Sequence, residues 1–167
     1  DLRASCQMAA ETLLMVGEKL RPGMTTEEIN TLVHEDTVRR GAYPAPLNYK
    51  RFPKSVCTSV NEVVCHGIPG PQVLKDGDIV NVDVTTFYKG FYGDTSATFY
   101  LGTPSEGARK VTEVARESLR RAIAVVRDGV AELLLDGEGR IRWAMFTDNF
   151  RVRAHPEALL QAAKQLR

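Results

Sequence analysis

Two alternating stretches joined by a Lys-Gly pair limit the fold of this chain more than any other feature. Ile79-Val80-Asn81-Val82-Asp83-Val84 follows the two-residue period of a strand that buries one face, and Ser96 to Leu101 reads as its partner. Lys89-Gly90 is a candidate two-residue hairpin turn between them. With the turn closed there, Asp83 lies opposite Ser96, and Asp94 becomes its diagonal neighbour on the same face. An antiparallel sheet is therefore expected.

Helical periodicity surrounds this hairpin. From Ala9 to Leu20 the residues Leu13, Leu14, Val16 and Leu20 recur at helical intervals, and Arg21-Pro22-Gly23 stops the pattern. Thr25-Thr26-Glu27-Glu28 supplies a threonine cap with carboxylates in the first turn. Ile29, Leu32 and Val33 then mark the buried stripe of a second helix ending near Gly41. Pro44, Pro46 and Pro53 impose irregular backbone before Ser55 to His66, a strand-like run rich in valine, threonine and cysteine. A third helix is expected from about Ser105 to Val126. The segment Ala9 to Gly23 lines up with Ala115 to Gly129, each a helix ending in Arg-x-Gly, which raises the prospect of an internal repeat. The text after Val130 does not echo the first unit. It predicts a short strand, a Gly-containing turn and a second strand up to Phe146, then a helix from Pro156.

Charge and cysteine usage exclude several functions. Lysine plus arginine number 22 against 21 for aspartate plus glutamate, a net charge of +1 that gives no argument for nucleic acid or an anionic membrane. Cys6, Cys57 and Cys65 form no C-x-x-C pair, so neither a disulfide framework nor a zinc ribbon is suggested, and a reducing, cytoplasmic setting is expected. No apolar run reaches the roughly 18 to 20 residues of a membrane span, and the first residues lack the order of a secretory signal. The chain opens at Asp1, within a helical pattern, so a few preceding residues are expected.

Aspartate is a poor strand residue, so Asp83 and Asp94 need a reason to be where they are. Carboxylates about 7 to 8 Å apart by backbone geometry repel unless one is protonated or cations sit between them, and oxygen-rich divalent metal sites use such ligands. The other reading is local: Asp94 belongs to a Gly-Asp-Thr turn and Asp83 hydrogen-bonds nearby. Spacing leaves both open. His66, fixed by Gly67 and followed by Pro69, either projects into a cleft as a donor to a substrate carbonyl or amide, or is structural. Tyr49, Phe52 and Cys57 either line a small apolar pocket or pin the proline-rich loop on the core. His34, beside Glu35 and Asp36, reads as part of a solvated helix face, and His155 as a capping position.

Taken together, Tyr43-Pro44-Ala45-Pro46-Leu47-Asn48-Tyr49, the run from Phe52-Pro53-Lys54-Ser55 to Val63-Val64-Cys65-His66-Gly67-Ile68-Pro69, and Asp76-Gly77-Asp78-Ile79-Val80-Asn81-Val82-Asp83-Val84 resemble type I methionine aminopeptidases. The resemblance covers about residues 1–130. Its Asn61 to Pro69 run points to this family rather than to proline peptidases or creatinases of the same fold. It implies an α/β (α+β) fold: half of a pita-bread fold, a curved antiparallel sheet packed by helices. It implies that Asp83 chelates one divalent metal ion and Asp94 bridges two, the sequence not distinguishing cobalt, manganese, iron and zinc. His66 would contact the scissile amide or its tetrahedral intermediate, and Tyr49, Phe52 and Cys57 would border the methionine side-chain pocket. The implied chemistry is attack on the carbonyl by water that the cations activate. The implied partner is a peptide or nascent-chain N-terminus, with no nucleic acid and no membrane.

Three departures from the family pattern temper this. Tyr92 stands where histidine commonly precedes the Gly-Asp pair. The family's second-half histidine and glutamate ligands, its second catalytic histidine and its proton-shuttling glutamate have no counterparts, and two aspartates alone hold metal weakly. Leu133 to Arg167 instead resembles, less specifically, the last hairpin and helix of thioredoxin-fold peroxidases, without a cysteine to support their chemistry. The expected organisation is thus residues 1–130 as an aminopeptidase-like N-terminal half and residues 131–167 as a divergent hairpin-helix tail. Self-association through the unclosed half-sheet is expected. The functional expectation is a metal-dependent aminopeptidase that removes N-terminal methionine, impaired by its missing ligands. The alternative is a non-catalytic remnant or a peptide- or protein-binding module.

Overall fold

A computed structural model describes residues 2–124 and, as backbone, residues 130–135 and 141–146. By compactness the chain forms two units, residues 1–108 and 109–167. In the first, helix α1 (Leu2–Lys19) and helix α2 (Thr26–Arg39) accompany a four-stranded antiparallel sheet. Its strands are β1 (Tyr43–Pro44), β2 (Cys57–Val60), β3 (Ile79–Tyr88) and β4 (Phe91–Tyr100). β3 is central: β4 pairs along its whole length, while β2 pairs with Val80 to Asp83 and β1 with Thr86 and Phe87 on the other edge.

The hairpin forms in the register expected from sequence, with Asp83 opposite Ser96 and Tyr88 opposite Phe91. Lys89 and Gly90 both adopt positive φ, 48° and 89°, as a two-residue turn matched to strand twist requires. The strands are longer than the alternation alone suggested, because Thr85 to Tyr88 and Phe91 to Thr95 extend the ladder toward the turn.

Alternation along β3 separates two environments. Val80, Val82, Val84 and Thr86 are buried, whereas Asn81, Asp83, Thr85 and Phe87 are only half-buried. The buried row joins Ala9, Leu13 and Val16 of α1, Ile29 and Val33 of α2, and Val56, Val60, Leu74 and Leu101 in one core. α1 begins seven residues before the expected Ala9, because its first turns dock through small residues rather than an apolar stripe. Ser5 Oγ donates to the carbonyls of Thr86 (2.8 Å) and Phe91 (3.0 Å). A Cβ on Gly93 would lie 2.3 Å from the Ser5 carbonyl carbon and 2.4 Å from the Cys6 nitrogen, so only glycine lets helix and sheet backbones meet there.

α2 starts on the expected threonine. Thr25 Oγ1 accepts from Glu28 N (3.1 Å) and the Glu28 carboxylate accepts from Thr25 N (2.6 Å), a reciprocal capping box. The reading of His34 to Asp36 as a solvated face is corrected. His34 is half-buried, its Nδ1 2.9 Å from Ser55 Oγ, and Asp36 is 6% exposed. Asp36 accepts from Thr12 Oγ1 (2.8 Å), Arg40 Nε (2.8 Å) and Arg39. Burial works to raise the Asp36 pKa, but these three donors outweigh it and hold the carboxyl below its ordinary range.

The strand expected from Ser55 to His66 is only Cys57–Val60. Asn61 turns into the left-handed region (φ 50°), and its side chain bonds Asp78 Oδ1 (2.9 Å) and Ile79 N (3.1 Å), which ends the ladder. In the second unit, most of helix α3 (Glu106–Ala124) is followed by strands β5 (Val130–Leu135) and β6 (Ile141–Phe146), paired antiparallel as the tail sequence predicts. The helix expected from Pro156, and His155, lie outside the described residues. Among the described residues no helix is long and apolar enough to cross a membrane.

Candidate active site

On the open face of the sheet, Cys57, Asp83 and Ser96 form one row across β2, β3 and β4. Asp94 lies two residues before Ser96, opposite Thr85, whose Oγ1 donates to Asp94 Oδ1 (3.1 Å). Both aspartates therefore share a face, as the hairpin register dictates.

The loop carrying His66 returns to the start of β2. Thr58 N donates to Gly67 O (2.9 Å) and Gly67 N to Ser59 Oγ (3.2 Å). A Cβ on Gly67 would stand 2.1 Å from Thr58 O, so glycine is required for this approach, and it fixes His66 (φ 53°, exposed) beside β2. Tyr49 and Phe52 come from the loop between β1 and β2. Tyr49, Phe52, Cys57, His66, Asp83 and Asp94 all line one cleft of about 820 Å³. The sequence reasoning did not single out Lys50, Arg51, Ile68 and Thr85, which line it too. Tyr92, noted as a departure, is also on its wall and packs on Phe87 with ring centroids 4.8 Å apart.

The electrostatics of Asp83 are the reverse of those of Asp36. Burial pushes its carboxyl above the ordinary range, Asp94 pushes it further by charge and by favouring a shared proton, and only His66 acts the other way. Among the described residues, no lysine or arginine pairs with Asp83 or Asp94. Cys57, buried against the same pair, has its thiol raised to about 11, first by burial and then by Asp83 and Asp94. A carboxylate pair without cationic partners, Asp83 half-buried and Asp94 exposed, has the donor chemistry that suits a divalent, oxygen-preferring cation. It is a partial set: among the described residues no group of three or more His, Cys, Asp or Glu could hold a metal.

Comparisons with known proteins identify the family. The profile of Metallopeptidase family M24 matches residues 1–136. Mitochondrial methionine aminopeptidase 1D of Mus musculus is 55% identical over 128 residues, covering 77% of this chain and 38% of that protein. Methionine aminopeptidase 1 of Saccharomyces cerevisiae is 49% identical over 129 residues, covering 77% and 33%. The crystal structure of methionine aminopeptidase from Rickettsia prowazekii superposes with a TM-score of 0.75 at 46% identity, covering 78% of this chain and 52% of that one. The chain thus spans well under half the length of these curated relatives. Its helices and antiparallel sheet are part of the pita-bread fold. With the profile covering most of the chain and relatives about half identical across the match, the chain belongs to metallopeptidase family M24, which uses divalent metal ions.

Proposed function

We propose that this chain is part of a metal-dependent aminopeptidase that removes N-terminal methionine from peptides and nascent chains. The observation that carries the reading is the carboxylate pair Asp83 and Asp94, which share one face of the sheet at the side of a cleft with no lysine or arginine paired to either among the described residues. The relatives' names supply the reaction class. In this reading Asp83 and Asp94 hold divalent ions, two in a complete site, and further ligands come from outside the described residues. Divalent cations held there would make water a nucleophile near neutral pH and polarise the scissile carbonyl. Tyr49, Phe52 and Cys57 surround the methionine side chain. Cys57 serves as an apolar wall rather than a nucleophile, because a thiol raised to about 11 is protonated at neutral pH. His66, exposed and fixed by Gly67, donates to the amide or the developing oxyanion.

The rest of the reading follows from the same features. In this reading the family-like portion is residues 1–130, although the family profile runs on to residue 136, and residues 131–167 are a divergent tail. Three free cysteines suit a cytoplasmic, reducing setting. The open sheet face supports self-association. One observation favours a second reading, a peptide-binding module without turnover: the described residues offer only two carboxylates toward a metal.

The deciding experiment is release of methionine from a Met-Ala-Ser peptide with manganese or cobalt, with Asp94→Ala as control. Release that the substitution abolishes supports the peptidase. A folded chain that releases none, with calorimetry showing equal cation binding by wild type and Asp94→Ala, overturns both the activity and the ligand assignment.

A further inference from the structure

The loop between β1 and β2 holds a feature that the proposed chemistry leaves unused. Asn48, Lys50 and Arg51 all have left-handed backbone, with φ of 66°, 46° and 69°. Asparagine accepts this conformation readily; lysine and arginine rarely do. The surrounding turn keeps them there: Asn48 N donates to Phe52 O (2.8 Å), Phe52 N to Tyr49 O (2.8 Å) and Tyr49 N to Pro46 O (3.0 Å). Lys50 Nζ stands over the Tyr49 ring, 5.6 Å from its centroid. Both cations are exposed, and both line the cleft.

Their charges are unneutralised. The next cation along, Lys54, pairs with Glu27 at 2.6 Å. Among the described residues, neither Lys50 nor Arg51 has a carboxylate within ion-pair distance. The acidic groups of the cleft lining are Asp83 and Asp94, on the sheet. The cleft is therefore dipolar, with carboxylates on its sheet wall and two guided cations on its loop wall. Lys50 and Arg51 lie between Tyr49 and Phe52 in the chain and line the same cleft with exposed side chains, so a peptide held at its first residue by those two rings would pass them.

We infer that Lys50 and Arg51 form a basic lip that selects peptides carrying aspartate or glutamate just after their N-terminal residues. This rests on the aminopeptidase reading for the direction in which the peptide lies. The lip adds a substrate preference that the metal ligands and the methionine pocket do not provide. It acts through rim charges, so it is sensitive to salt.

The test compares Met-Ala-Asp-Glu-Ser-Gly, Met-Ala-Ser-Ser-Ser-Gly and Met-Ala-Lys-Lys-Ser-Gly, in manganese, by fluorescence anisotropy of labelled peptides and by methionine release. The acidic peptide is expected to bind about 5-fold tighter than the lysine peptide at low salt, with the ratio approaching one at high salt. The same ratio should collapse in the double variant Lys50→Asn, Arg51→Gly, whose new residues accept positive φ. Equal binding of the three peptides, or a preference that survives both high salt and the double variant, overturns the lip. The salt series on wild type decides the matter even where the variant fails to fold. Acidic preference in binding without methionine release keeps the lip and removes the peptidase; release without preference does the reverse. No binding and no release from folded protein overturns both.

Discussion

Asp36 and Asp83 are two carboxylates withdrawn from water on different elements of the first unit, and they meet opposite surroundings. Asp36, on α2, receives Thr12, Arg39 and Arg40, and its pKa falls despite burial. Asp83, on the open face of β3, receives another carboxylate, and its pKa rises. A buried charge persists when donors or cations repay its desolvation. In Asp36 the protein supplies them all. In Asp83 it does not, so the residue is destabilising unless something from outside binds. The same division runs along β3, where buried Val80, Val82 and Val84 face the core while Asn81, Asp83 and Thr85 share the opposite face, the last two lining the cleft. One strand thus carries both core packing and the candidate site, separated by its pleat.

The largest test of this division is Gly93→Ala. Its Cβ would enter the α1 backbone at 2.3 Å from Ser5 and 2.4 Å from Cys6, and neither helix nor sheet can yield locally. A loss of about 3 kcal/mol in urea unfolding is expected. Ser96→Val, on the open face opposite Asp83, is expected to change stability by less than about 0.5 kcal/mol. Comparable losses in the two would break the contrast between the faces.

Next in size is Asp36→Ala, which strands Thr12 and leaves Arg39 and Arg40 without their shared acceptor. A cost of about 2 kcal/mol is expected, measured by the same unfolding curve. Retention of full stability would mean that the Asp36 cluster contributes nothing that a small apolar residue does not. Asp36→Asn, which keeps the acceptor oxygen but not the charge, should fall between wild type and Asp36→Ala and separate the ionic part from the hydrogen bonds.

The contrast also explains what the sequence could convey. The β3–β4 hairpin was legible because period-two alternation and a Lys-Gly turn are local, and the register they imply places Asp83 opposite Ser96 as observed. The end of β2 was not, since Asn61 leaves the ladder by bonding Asp78 and Ile79, seventeen and eighteen residues onward. Asp36 was misread for a related reason. It falls on the stripe of Ile29 and Val33, which could have marked it as buried, but the donor that makes burial tolerable is Thr12 on another helix. At the cleft, the residues singled out by type and position share one wall system, whereas Lys50 and Arg51 went unnoticed. Their side chains look like ordinary solvated cations, and a positive φ at lysine or arginine leaves no trace in the text.

The smallest expected effect is also the one that bears most directly on Asp83. In chelator, Asp83→Asn should match or slightly exceed wild-type stability near neutral pH, by under ~1 kcal/mol because the site is partly open to solvent. The sign follows from linkage. The folded Asp83 carboxyl is raised above its ordinary value of 3.8, so between the unfolded and folded values the native state holds the extra proton. Its stability contribution is fully present below 3.8 and is lost as pH rises through the folded value. Asp36 runs the other way, its contribution present above its ordinary value and lost as pH falls through its lowered one. Unfolding free energies of wild type and Asp83→Asn, measured from acid to neutral pH, should therefore diverge as pH rises, with wild type falling behind. Manganese should then restore wild type and leave Asp83→Asn unchanged, because binding to the native state alone adds stability. Parallel curves in chelator would show that Asp94 does not burden Asp83. Equal responses to manganese would place the cation elsewhere, and Asp83 would then differ from Asp36 in its neighbours but not in its use.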